Sequence, residues 1–255
     1  MKYNKKIVHS GSYTEIWEYE RPVVYDYSTE ERPRGKNNSH TSSEKDPNEH
    51  FKRLKKNRLN SKWELTRLID CNFTKSTKFL TITTKENITD RTTFNKIFDN
   101  FMKRLNYKVF NQKKKKLKYV GVYEQQKRGA YHAHLLFFNL PYIKHSDLIK
   151  IWNHGSVWIN KINVDSKSNI GRYITKYMEK GMDQELLANK GKKSYIASKN
   201  LLRPKEILLY DKDSVNDYIS EDNILFSNEY TSISKVKEEY VYSRVKYTKI
   251  KNEVE

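Results

Sequence analysis

A chain of 255 residues can form one substantial domain with appendages, and with 36% hydrophobic and 13% aromatic residues its core should be rich in Tyr, Phe and Trp. Lys and Arg number 50 against 31 acids, a formal charge of +19 that favours a polyanionic partner through phosphate neutralisation and counterion release, although a genome rich in Lys, Asn, Ile and Tyr codons would raise the same count. Cys71 is the single cysteine, which excludes an internal disulfide. The opening MKYNKKIVHSGSY is too polar for a signal peptide, and no later segment reads as a membrane span, so a cytoplasmic location without membrane partners is expected. Gly191-Lys192-Lys193-Ser194 lacks the spacing and upstream glycine of a phosphate loop, which removes an ATP motor from consideration.

Residues 7–25 alternate as a hairpin turning at Ser10-Gly11-Ser12. Residues 28–49 are polar, carry two prolines and read as a linker. A basic helix is predicted from Phe51 to Ile69, with Leu54, Leu59, Trp63, Leu65 and Leu68 as its apolar contributors. FLTITT at 79–84 reads as a strand, and 91–107 space Phe94, Ile97, Phe98, Phe101, Met102 and Leu105 as a helix. Lys113–Lys116 is a solvated loop. Strand 118–124 then turns through Lys127-Arg128-Gly129 into strand 131–138, which Pro141 ends. A short helix at 145–153, a strand at 156–163 and a helix at 168–181 follow; 206–210 and 238–250 read as strands. The order β-α-β-β-α-β is the ferredoxin-like, RRM-like pattern. The expected class is therefore α+β: an antiparallel sheet with helices on one face, plus N- and C-terminal additions. Three segments are expected: 1–70 (hairpin, linker, basic helix), 71–185 (the chemistry-bearing domain) and 186–255 (accessory).

His132 and His134, two apart in a strand, point to one face and can chelate a divalent ion. Seven histidines in this length would give such a pair about 0.2 times by chance, so two ordinary sheet histidines remain an alternative. A three-residue turn at Lys127–Gly129 sets Glu124 opposite His132, adding an oxygen ligand and leaving positions for substrate and water. This N/O set suits Mn²⁺ or, with phosphate oxygens completing the shell, Mg²⁺; a closed structural Zn²⁺ site lacks a fourth ligand. Downstream, Tyr173 and Tyr177 are one helical turn apart, with Lys176 and Lys180 in a neighbouring row. With 19 tyrosines the pairing alone reads as a packed stripe, and Tyr119/Tyr123 repeats it; its weight comes from following the histidine strand. A phenol of ordinary pKa near 10, activated by Lys or metal, can attack phosphorus and conserve the bond as a tyrosyl phosphodiester.

These elements resemble the H-U-H endonuclease superfamily (U for hydrophobic), in particular rolling-circle replication initiators of the phage and plasmid replication-associated kind. FLTIT at 79–83, His132-Ala133-His134 within YHAHLLFF, and IGRYITKYMEKG at 170–181 carry the resemblance; IWNHGSVWINKI at 151–162 resembles the stretch before the family's tyrosine helix. The U position is alanine, smaller than is common there. The resemblance implies that His132 and His134 hold metal, with Tyr173 the principal nucleophile, Tyr177 a second and Lys176 their phosphate-positioning partner. Lys127, Arg128, Arg172 and Lys180 are the expected DNA contacts. It further implies nicking of single-stranded or hairpin origin DNA, a free 3′-OH for a host polymerase, and a borrowed host helicase.

Two other readings share some of these features. A transposase or relaxase would use the same site, and a non-catalytic nucleic-acid-binding module would explain charge and fold while leaving the histidines and tyrosines as coincidences. Lys52, Arg53, Lys55, Lys56 and Arg58 are either an origin-binding face or a solvated one. Trp152 and Trp158 are candidates for stacking on bases, with core packing expected for both.

Overall fold

Two antiparallel five-stranded sheets carry the architecture, confirming an α+β fold. The structure, a computed structural model, describes residues 2–24, 47–160, 171, 175, 178–183, 194–210, 214–215, 218–219, 221–236 and 239–252. The expected linker at 28–49 lies almost wholly outside the described residues. In chain order the elements are β1 (Lys2–Ser10), β2 (Tyr13–Val24), α1 (Pro47–Asn72), β3 (Lys78–Thr83), α2 (Arg91–Phe110), β4 (Tyr119–Gln125), β5 (Tyr131–Phe137), α3 (His145–Trp152), β6 (Val157–Asn160), β7 (Ile196–Ala197), β8 (Lys205–Leu209), β9 (Ile224–Val236) and β10 (Glu239–Lys251). Residues 171, 175 and 178–183 are helical. None of the described helices is long and apolar enough to cross a membrane.

The chain divides into two compact units, Met1–Pro47 with Arg203–Glu255, and Asn48–Leu202, and not into three consecutive segments. Strand pairing is the reason. A lone hairpin is marginal in water and exposes unpaired edges. In the first unit the β1–β2 hairpin, turning at Gly11 with φ 59°, joins the β9–β10 hairpin through pairs such as Ile16 with Thr248, giving the order β8-β1-β2-β10-β9. Its core is Ile7, Ile16, Val215 and Ile250. Strand β9, read as irregular in the sequence, alternates weakly because Phe226, Tyr230 and Ile233 remain exposed.

The second unit has the order β6-β3-β5-β4-β7, with β3 and β5 central. β5 lies between β3 and β4 and runs antiparallel to both, which is the split β-α-β arrangement. One sheet face, through Leu80, Ile82, Ala133, Leu135 and Val157, packs on α2 (Phe94, Phe98, Phe101, Leu105) and α3 (Leu148, Trp152). The other, through Val120, Val122 and Leu136, packs on Leu65, Leu68 and Ile69 of the added α1 and on Met178 and Met182.

Polar side chains fix the connections. Asp90 caps α2 by accepting from Thr93 N–H at 2.7 Å. Buried Asn106 accepts from the Lys116 and Leu117 amides and donates to the Gln112 and Lys114 carbonyls, so the lysine loop is tied down despite its charge. Trp152 is fully buried, and its indole N–H donates to the Thr83 carbonyl at 2.8 Å, anchoring α3 to the end of β3. Trp152→Ala should cost about 3–5 kcal/mol through the cavity and the orphaned carbonyl. Chemical denaturation measures this, and a loss under about 1 kcal/mol would contradict the packing described.

Candidate metal centre

The site begins with one turn. Gln126 N–H donates to Ala130 O at 2.9 Å, Gly129 N–H donates to Gln126 O at 2.8 Å, and Gly129 has φ 85°, a value favouring glycine. This hairpin sets Glu124 opposite His132 and Val122 opposite His134. Successive side chains alternate between faces, so Glu124, His132 and His134 share the face opposite α2 and α3. Thr83 and Thr81 of β3 pair with His132 and His134 on the same side.

Glu124 is the hub. Its Oε2 lies 3.1 Å from His134 Nε2 and 3.3 Å from His132 Nε2, and its Oε1 accepts from the Lys180 ammonium. The three prospective donor atoms all lie within 4.8 Å of one another, a group that could hold a metal ion. His132 Nε2 is near enough to Glu124 for attraction, yet it makes no hydrogen bond and is buried. A buried ring nitrogen left without a proton partner suits a ligand position. The two side chains are 13% and 17% exposed, so an ion there would keep a path to solvent.

Electrostatics agree with the donor set. Burial raises the Glu124 pKa, but hydrogen bonds from Lys180 and His134 and the neighbouring His132 outweigh it and hold the carboxyl below its ordinary value. Burial, reinforced by the charge of His134, pushes His132 below the usual histidine range despite Glu124. A carboxylate and a neutral imidazole are the forms that bind divalent cations. His134 Nδ1 is 3.0 Å from Thr81 Oγ1. That hydroxyl can donate to Nδ1 while Nε2–H faces Glu124, or accept from Nδ1–H when Nε2 carries an ion. Phe79 stacks on the same ring, 6.0 Å between centroids and 4° between planes.

The helical segment arrives beside Glu124 because glycine lets it. A Cβ on Gly181 would lie 2.7 Å from the Tyr123 carbonyl, and one on Gly171 would meet Asp70 and the Thr66 carbonyl at 2.5 Å. Gly171 N–H donates to Asp70 Oδ1 at 2.8 Å, and Glu179 pairs with Arg58 and Lys62 of α1 at 3.1 Å. Arg58 is thus occupied within the fold. Lys180, named from the sequence as a DNA contact, is 71% exposed yet reaches Glu124. Arg128 donates to the Thr84 and Lys85 carbonyls, pinning the hairpin to the end of β3, and Lys127 is exposed on the same turn. Tyr173, Tyr177, Lys176 and Arg172 lie outside the described residues. Thr81 and Phe79 went unnoticed in the sequence; the β3–β5 register that brings them to His134 depends on a long crossover.

Residues 77–182 match the model of a replication-associated protein family, the ORF2 type. That stretch holds β3 through β6 and every residue of the Glu124–His132–His134 group. No curated protein and no solved structure matches the chain.

Titration calorimetry with Mn²⁺ should show one site in the wild type, lost in His132→Ala and in His134→Ala. Thr81→Val should weaken it by about 10- to 100-fold. Equal affinity across the wild type and both histidine variants would contradict the site.

Proposed function

We propose that this protein initiates replication by nicking and rejoining single-stranded DNA at an origin, with a metal at Glu124, His132 and His134 and a tyrosine nucleophile. The observation that supports it most is the Glu-His-His group inside the stretch matched by a replication-associated family. The donor set fits Mn²⁺ or Mg²⁺: one carboxylate, two imidazoles and room for phosphate oxygens. When bound, such an ion polarises a phosphate oxygen and stabilises the charge that develops during displacement.

The chain's own residues do the rest. His132, His134 and Glu124 orient the centre on a sheet face, and Thr81 fixes the His134 ring. Lys180 neutralises Glu124 in the resting protein and is released to a phosphate once the carboxylate has another cation. Tyr173 and Tyr177 precede Lys180 by seven and three positions in the sequence, the spacing of one helical row. In the reaction, the Tyr173 oxygen forms a bond to phosphorus, the bond from phosphorus to the 3′ oxygen breaks, the phenol proton passes to solvent and the 3′ oxygen gains a proton. The protein stays joined to the 5′ end, the free 3′-OH primes a host polymerase, and a host helicase opens the duplex. Tyr177 attacks a second junction, and Lys176, with Arg172 and Lys127, holds the phosphates. The replication-associated match favours this role over a transposase or relaxase.

Labelled single-stranded origin DNA incubated with Mn²⁺ should give a covalent adduct on denaturing gels that EDTA abolishes. Tyr173→Phe should lower its yield by at least about a hundredfold. Absence of any adduct on cognate origin DNA, with binding intact, would leave a non-catalytic binding module.

A further inference from the structure

The two tryptophans of the 151–162 stretch have opposite fates. Trp152 is fully buried, whereas Trp158 is 65% exposed, against the core packing expected for both. Trp158 sits on β6, the edge strand, between Val157 and Ile159. Val157 packs into the core beneath α2 and α3, so Trp158 stands on the opposite face. The register then places it in line with the metal group: Trp158 pairs with Thr81, and Thr81 pairs with His134. Two strand spacings, about 10 Å, separate its backbone from that of His134. Thr81, the residue between them, is the one hydrogen-bonded to the His134 ring.

A large, exposed indole in a chain of charge +19 needs an apolar flat partner that tolerates a cationic surface. An unpaired nucleobase meets both conditions: its π-face stacks on the indole while its phosphate is drawn to lysines. A partner protein's apolar surface would gain nothing from the charge. An ordinary paired duplex hides its base faces and gains nothing from the indole.

We infer that Trp158 is a base-stacking platform, holding a nucleotide of single-stranded DNA beside the one whose phosphate lies at Glu124, His132 and His134. The placement rests on the nicking reading; the stacking itself does not. With the base seated on Trp158, the strand is laid across β6, β3 and β5 in a fixed direction. The platform therefore selects unpaired DNA and sets which phosphate reaches the centre. It is tolerant of sequence, since every base offers a π-face.

The test uses the full chain in EDTA, so that binding is measured without cleavage. The probes are a labelled oligothymidylate of about twenty nucleotides, long enough for one or more single-strand sites, and an abasic deoxyribose-phosphate oligomer of equal length. Trp158→Ala should bind oligothymidylate about tenfold or more weakly and the abasic oligomer as the wild type does, and Trp158→Phe should recover most of the loss. Among the 4 tryptophans of the chain, Trp158 should also account for most of the fluorescence quenched by oligothymidylate, a signal absent in Trp158→Phe. Unchanged affinity in Trp158→Ala, or an equal loss on both probes, would overturn the inference. Adduct assays with Mn²⁺ run beside these separate the two readings. A wild type that stacks DNA through Trp158 yet forms no adduct would remove nicking and leave the platform standing.

Discussion

The pairing of Glu124 with His132 across the β4–β5 hairpin is the interaction on which the site depends. A slip of one residue would turn Glu124 into the α2-facing core and leave the histidines with no carboxylate. The turn at Lys127–Gly129 prevents that slip locally, and Arg128 ties the turn to the end of β3. On the hidden side, Tyr123, Tyr131 and Ala133 are buried against α2, so the apolar core enforces the same register that the polar face requires.

A buried carboxylate between two imidazoles is costly in a fold without a counter-charge. Here Lys180 supplies one from an otherwise solvent-exposed position, and it can do so because Gly181 lets the helical segment lie against β4. The acidic side of that segment is meanwhile tied to Arg58 and Lys62 of α1. The added helix α1 thus acts on the site indirectly, holding the backbone that presents Lys180. A resting centre kept intact by a removable ammonium is suited to exchanging that ammonium for a metal ion and a phosphate.

Much of this was legible in the sequence wherever contacts are local. The β-α-β-β-α-β order followed from periodicity, because each element buries one face. The Glu124–His132 pairing followed from the length of a single turn. What escaped was non-local. Thr81 meets His134 across a crossover that contains all of α2, and no turn length encodes that register. Trp158 and Trp152 look alike in composition; only the place of β6 at the sheet edge separates an exposed indole from a buried one. The first unit is assembled from both ends of the chain, and its closing hairpin carries exposed Tyr230, Ile233, Tyr240 and Tyr242, which blur the alternation that marks a strand.

The central claim is that two imidazole nitrogens of one strand and a facing carboxylate form a single metal centre. Electron spin echo spectroscopy of Mn²⁺ bound to the full chain reads its nitrogen ligands directly. The account predicts couplings from two histidine nitrogens, falling to one in either His132→Ala or His134→Ala under conditions that force occupancy. Bound Mn²⁺ showing no histidine nitrogen, or couplings untouched by those substitutions, would contradict it.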